Sequence, residues 1–273
     1  MIKTWRIAAN KTEEVRFDNE SSLDAITRQL PDGYYSTFRT YDSCTRVIGL
    51  SAHLRRLPGI NASSLRRHLI QLLDHFLSDG LSADEARVRV TLAFEGKLYI
   101  SIEPLKRLPS KVYEKGIHVE TVSIQRDSPR VKSTSFIGQS DEERKLIKKK
   151  GIFEALLVKN GRILEGMTSN FFYVRDDILH TAQRNILLGV TRRTVIRVAR
   201  GEGIGVRYKP LALNQLSVLN EAFITSSSRG IVPVVKIDDV VVGQGSVGKV
   251  TRKLITSYDE YVLKRAERID HGT

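Results

Sequence analysis

Cysteine is almost missing from this chain: Cys44 is the only one in 273 residues. A disulfide framework and a CxxC metal site are therefore excluded, and a reducing compartment suits the protein. The six histidines form no HExxH pattern, so no protein-held metal is expected. No apolar run reaches membrane-spanning length, and the opening MIKTWRIAANKTEEVRFD scatters charges where a signal peptide would carry an apolar stretch. We therefore expect a cytoplasmic location and no membrane partner. Low-complexity tracts and internal repeats are also lacking, which points to a chain that folds throughout.

Acidic residues are scarce beside basic ones, 31 against 44, for a formal charge of +13. Such a charge permits nucleic acid or anionic small molecules as partners. The Lys and Arg are spread along the chain, however, with no aromatic-interleaved basic motif, so no nucleic-acid partner is expected. The run Lys148–Lys150 suits the end of a helix, where basic side chains complement the dipole.

The length suggests one large domain or two modest ones. From Ser63 the sequence SSLRRHLIQLLDHFLSDG puts Leu65, Leu69, Leu72, Leu73, Phe76 and Leu77 on one helical face, with Ser63 or Ser64 as cap and Gly80 as stop. Arg87 to Leu105 alternates about Glu95-Gly96 and reads as a hairpin. The polar, Pro-containing LKRLPSKVYEKG is the expected boundary, giving domains at 1–110 and 119–273 with a linker at 111–118. Beyond it, EALLVKNGRILEG carries Asn160-Gly161 between apolar runs, the strongest short hairpin signal here, and SNFFYVRDDILH extends the meander through Asp176-Asp177. TRRTVIRVARGEG reads as a helix ended by Gly, EAFITSSSRG as a strand leaving into a serine-rich turn, and VTRKLITSYDEYVLKRAERI as a long terminal helix.

Two glycine clusters imitate phosphate loops. GEGIG at 201–205 follows a helix and leads into a strand, the reverse of the order a dinucleotide loop needs. GQGSVGKV at 243–250 precedes a helix, but Val250 follows Lys249 and supplies no hydroxyl for magnesium. Neither is expected to bind a nucleotide.

One acid stands out. In RILEGMTSNFFYV, Glu165 shares the alternating face of Ile163 and Met167 and so points inward, where a lone carboxylate is costly. Its partner is either a basic side chain in a structural ion pair or a cationic ligand atom.

HLRRL at 53–57, RVKSTSF at 130–136, LEGMTSNFF at 164–172, LLGVTR at 187–192 and ITSSSRGIVPV at 224–234 follow in that order. Together they resemble the class IV aminotransferases, pyridoxal-phosphate enzymes of fold type IV, which include branched-chain and D-amino acid aminotransferases and aminodeoxychorismate lyases. The resemblance runs from GYYSTFRTYD at Gly33 to the terminal helix. It implies an α/β (α+β) fold of two domains with the cofactor in the interdomain cleft, and a homodimer. By the same resemblance Lys132 is the lysine that condenses with the cofactor aldehyde, and Glu165 the acid on the pyridine nitrogen. Arg56 matches the phosphate-binding arginine of an H-x-x-R element. Val190 and Thr191 match a phosphate-binding turn that opens a helix, Ser227 and Ser228 a second such turn, and Leu188 a residue packed near the ring. Tyr35 and Arg39 match active-site positions of the first domain. The chemistry is coherent, since a phosphate dianion suits arginine, hydroxyls and a helix N-terminus, and a pyridinium suits a buried acid.

The implied reaction moves an amino group between a small amino acid, branched-chain or D-, and a 2-oxo acid, with Lys132 as general base and ping-pong kinetics. Thr168-Ser169-Asn170 resembles the D-amino acid enzymes, while the Arg-x-His carboxylate trap of those enzymes has no counterpart in Tyr99 to Glu103. Arg39 and Arg229 are the candidates for the substrate carboxylate, the plainer reading being that both form structural ion pairs. Two alternatives remain open: a lyase of the aminodeoxychorismate type, and a non-catalytic basic binding protein on the same scaffold.

Overall fold

The computed structural model describes residues 1–8, 11–78, 83–124 and 126–270. Two compact units emerge. The first holds Met1–Lys106, Val131–Gly138 and the C-terminal segment from Lys264; the second holds Arg107–Arg130 and Gln139–Leu263. The chain thus crosses at Lys106, a few residues before the expected boundary. The stretch expected as a linker, 111–118, lies instead within the second unit, because it is ordered as a short helix and the start of a strand.

In the first unit, strands β1 (Lys3–Ala8), β2 (Lys11–Val15), β3 (Gly33–Tyr41), β4 (Arg46–Val47), β5 (Ala86–Ala93), β6 (Leu98–Pro104) and the late β17 (Glu267–Arg268) form an antiparallel sheet. Its order is β17-β4-β3-β5-β6-β1-β2. Helices α1 (Leu23–Thr27), α2 (Leu50–Leu54) and α3 (Ala62–Ser78) accompany it. Strand alternation sends Phe38, Val88, Val90, Ile100 and Ile102 to one face, where they pack in a core with Leu65, Leu69, Leu72, Leu73 and Phe76 of α3. That is the helical face the spacing predicts. The cap differs: Asn61 Oδ1 accepts from Ser64 N at 2.9 Å, so α3 starts before the serines expected to cap it. The Gly80 stop lies outside the described residues.

The second unit follows with α4 (Ser110–Lys115) and β7 (Ile117–Val122). After α5 (Ser135–Gln139) come α6 (Asp141–Lys149), β8 (Glu154–Lys159), β9 (Arg162–Gly166), β10 (Asn170–Arg175) and β11 (Ile178–Thr181). The unit continues through α7 (Val190–Gly201), β12 (Val206–Arg207), β13 (Leu211–Ala212), β14 (Glu221–Ser226), β15 (Gly230–Ile237), β16 (Val240–Val241) and α8 (Lys249–Arg265). The sheet order is β12-β11-β10-β14-β15-β7-β8-β9-β13, with β16 on β15. A further pairing of Asn170 with Glu165 joins β10 to β9 and closes β10-β14-β15-β7-β8-β9 into a ring. Asn160 and Gly161 take φ of 50° and 66° between β8 and β9, and Asp176 and Asp177 take 53° and 55° between β10 and β11. Both are the left-handed pairs that a two-residue hairpin demands.

The terminal helix is shorter than expected. It ends at Arg265, and Glu267–Arg268 returns as β17 against β4. Arg66 enforces the turn by donating to the carbonyls of Arg268 and Ile269, and Ile269 is buried in the first unit's core. Among the described residues no helix is long and apolar enough to cross a membrane, and no His, Cys, Asp and Glu cluster could hold a metal.

Candidate active site

In the first unit the lysine segment is stitched to the start of β3. Tyr35 N donates to Lys132 O at 2.9 Å and Thr134 N to Gly33 O at 3.0 Å, with a bridge between Tyr34 and Ser133. Gly33 N donates to Thr134 Oγ1 at 2.9 Å, and that hydroxyl donates to Asp32 Oδ1 at 2.8 Å. Gly33 is required there, since a Cβ would run into the Leu92 carbonyl. The backbone of Lys132 is thereby fixed, and its half-buried side chain lays Nζ 4.6 Å from the centroid of the buried Tyr35 ring. Arg89 lies over the same ring at 4.8 Å and pairs with Asp24 at 2.7 Å.

Arg56 follows α2, its N–H donating to His53 O at 3.4 Å. His53 is buried and bonds Ser36 of β3 through Nδ1 at 2.9 Å, which ties the H-x-x-R turn to the strand carrying Tyr35. Arg39 faces Glu85, with Nη2 at 2.7 and 2.6 Å from the two carboxylate oxygens, and also lies over Tyr41.

In the second unit the closure between β9 and β10 places Glu165, only 2% exposed. Its Oε2 accepts from Leu187 N at 3.0 Å and from Asn170 Nδ2 at 3.2 Å, and its Oε1 lies 3.1 Å from Arg126 Nε. Two donors and one cation thus converge on the carboxylate, as a buried anion requires. Asn170 Nδ2 also donates to Leu187 O at 2.7 Å. A Cβ on Gly189 would strike Asn170 Oδ1, so glycine is the residue that lets the loop approach. Arg192, buried at the start of α7, donates to Ala182 O and Gln183 Oε1 and anchors the other end of that loop. Burial pulls its guanidinium down to about 10.

Helix α7 begins at the buried Val190, with Gly189 as a cap residue that offers no side-chain acceptor to the helix N–H groups. Thr191 Oγ1 lies 3.4 Å from Ser227 Oγ, which brings together the two turns expected to hold phosphate. Ser228 is half-buried in the same turn as Ser227. Leu188 is half-buried, and its carbonyl accepts from Arg193. Arg229 pairs with the buried Glu154 at 2.9 Å and donates to Thr168 Oγ1 at 2.6 Å. Glu154 also accepts from Thr168 N and Thr168 Oγ1, and so fixes the turn after Glu165.

A sequence model of the class IV amino-transferase family matches residues 33–237, three quarters of the chain. The chain belongs to the class IV aminotransferases. This family is pyridoxal-phosphate dependent. The aminotransferase is 37% identical over 165 residues to a Methanocaldococcus jannaschii protein provisionally named a branched-chain-amino-acid aminotransferase, a match spanning 57% of that protein. It is 30% identical over 262 residues to a D-alanine aminotransferase of Staphylococcus haemolyticus, covering 86% of this chain and 90% of that one. Among solved structures, a Thermotoga maritima protein provisionally named a branched-chain amino acid aminotransferase superposes with a TM-score of 0.74 at 25% identity, over 95% of this chain and 96% of the other.

The residues present suit the cofactor. A buried acid with fixed donors fits a pyridine nitrogen, and a helix start without a side-chain cap beside two hydroxyls fits a phosphate. Arg126, Asn170 and Glu154 were not singled out from sequence. Arg126 sits in the polar run QRDSPR, where nothing signals burial, and Asn170 was visible only as part of the T-S-N turn.

Proposed function

We propose that this aminotransferase moves an amino group from a small aliphatic amino acid, branched-chain or D-, to a 2-oxo acid, with Lys132 and Glu165 as its central pair. The observation that carries the residue roles is the buried Glu165 carboxylate, oriented by Leu187 N and Asn170 Nδ2. Bound pyridoxal phosphate supplies an electron sink for the pair left when the substrate α-carbon loses its proton. Lys132 would hold the cofactor through its aldehyde carbon, and its Nζ, when free as the amine, would be the base that moves the substrate α-proton. Glu165 would hold the proton on the ring nitrogen. Thr191, Ser227, Ser228 and the N–H of Val190 would hold the phosphate, and by the family resemblance so would Arg56; Tyr35 and Leu188 would serve the ring and the lysine.

Arg39 is engaged by Glu85 and Arg229 by Glu154, which favours the plainer reading of both as structural ion pairs over a hold on the substrate carboxylate. Initial rates with L- and D-alanine, valine, leucine and aspartate, each against pyruvate and against 2-oxoglutarate, test the choice of donor. Parallel double-reciprocal lines are expected, with kcat/KM for the best aliphatic donor at least about tenfold above that for aspartate. Pyruvate release from aminodeoxychorismate without any oxo-acid acceptor would instead favour the lyase. We take the working form to be a homodimer in the cytoplasm, which sedimentation of the purified protein would check for its size.

A further inference from the structure

Arg126 lies in a polar stretch just ahead of Lys132, yet its side chain is only 6% exposed. Nη2 donates to Met167 O at 2.6 Å, which pins the guanidinium to the turn after β9, and Nε lies 3.1 Å from Glu165 Oε1. The other oxygen of Glu165, Oε2, already accepts from Leu187 N and Asn170 Nδ2. Two N–H donors occupy its two lone pairs. A ring nitrogen that pairs with Glu165 through Oε1 would therefore sit beside the charge of Arg126.

We propose that Arg126 is a positioning residue that supplies the counter-charge of Glu165 in the cofactor-free protein and competes with the protonated ring nitrogen for Glu165 Oε1. The proposal rests on the assignment of Glu165 to that nitrogen. Two consequences follow from elementary electrostatics. A buried carboxylate with a fixed cation beside it is tolerated before cofactor arrives, so the protein folds without it. Two cations on one carboxylate also repel each other, so Arg126 weakens the hold of Glu165 on the ring proton and leaves the strength of the electron sink adjustable. A residue that only packs would do neither.

The test uses pyridoxal phosphate and its deaza analogue, in which CH replaces the ring nitrogen. Dissociation constants are read from the visible absorption, and melting temperatures are taken with and without each compound. The proteins are the native chain, Arg126→Met, Arg126→Lys and Glu165→Gln. The native protein is expected to prefer pyridoxal phosphate, and Arg126→Met to raise that preference by about fivefold or more. Arg126→Met should also melt lower without cofactor and gain more from pyridoxal phosphate than the native chain does, while Arg126→Lys stays near native on both readouts. If Arg126→Met does not fold, Arg126→Gln keeps a donor without the charge and reads the same ratio. An unchanged preference, or a melting temperature lowered equally with and without pyridoxal phosphate, overturns the proposal. The reading of Glu165 fails separately, if the native protein and Glu165→Gln bind the two compounds with the same ratio.

Discussion

A carboxylate at 2% exposure inside a strand is the residue on which this site turns, and its surroundings explain why it is tolerated. Leu187 N, Asn170 Nδ2 and Arg126 approach it from a loop, a strand and the segment before Lys132. Replacing Glu165 by Gln keeps the shape and removes the charge proposed to hold the ring proton. We predict a fall in kcat of roughly a hundredfold or more with a modest change in cofactor affinity, measured under saturating pyridoxal phosphate. Gly189→Ala should cost about 1–3 kcal/mol in urea unfolding, because its Cβ meets Asn170 Oδ1 in a packed interior. His180 offers a pH prediction. Burial lowers its proton affinity, its Nδ1 bond to Ile178 O opposes that in part, and Arg207, Lys209 and Arg175 lower it further. The unfolded chain therefore binds the proton more readily, so the contribution of neutral His180 is complete above the unfolded value near 6.5 and is lost as pH falls below it. The melting temperature of His180→Phe, which can keep the stack on Tyr173, should depend less on pH between about 5 and 7 than that of the native protein. The sequence made Glu165 visible because an acid broke an apolar alternation. It hid Arg126, because burial of an arginine from a polar run depends on contacts with Met167 and Glu165 that no local pattern encodes.

Among the elements, hairpins were the most legible, since Asn160-Gly161 and Asp176-Asp177 state their turn in the residues themselves. The course of 131–138 was not legible. Its return to the first unit is held by backbone bonds from Tyr35 and Thr134 across about a hundred residues of chain, and backbone donors carry no sequence signature. The GQGSVGKV stretch shows a third case. A nucleotide loop is excluded there because Glu221 of β14 occupies the start of α8, accepting from Val250 N at 3.0 Å and Thr251 N at 2.7 Å. Gly248 makes room for that carboxylate, where a Cβ would collide. Gly248, the last glycine of this imitation phosphate loop, thus serves a protein-supplied anion at a helix N-terminus. Glu221→Ala should lower stability by about 1–2 kcal/mol, since both N–H groups are buried. Chemical denaturation with an unchanged m-value would register it; no loss would mean that α8 does not depend on this cap.

At the scale of the whole molecule the excess of 44 basic over 31 acidic residues needs no nucleic acid. 2-Oxo acids and pyridoxal phosphate carry net negative charge, and a positive field raises their rate of encounter. The kcat/KM for a 2-oxo acid should accordingly fall severalfold between about 10 and 150 mM salt, with kcat nearly constant. We propose that Lys132 bonds the cofactor and Glu165 holds its ring. This is tested most directly by the visible absorption of the purified protein with pyridoxal phosphate, beside Lys132→Ala, before and after addition of an amino donor. We expect a yellow band in the native protein that bleaches with donor and recovers with a 2-oxo acid, and neither the band nor the bleaching in Lys132→Ala. An equal band in both proteins, unmoved by any donor, would contradict it.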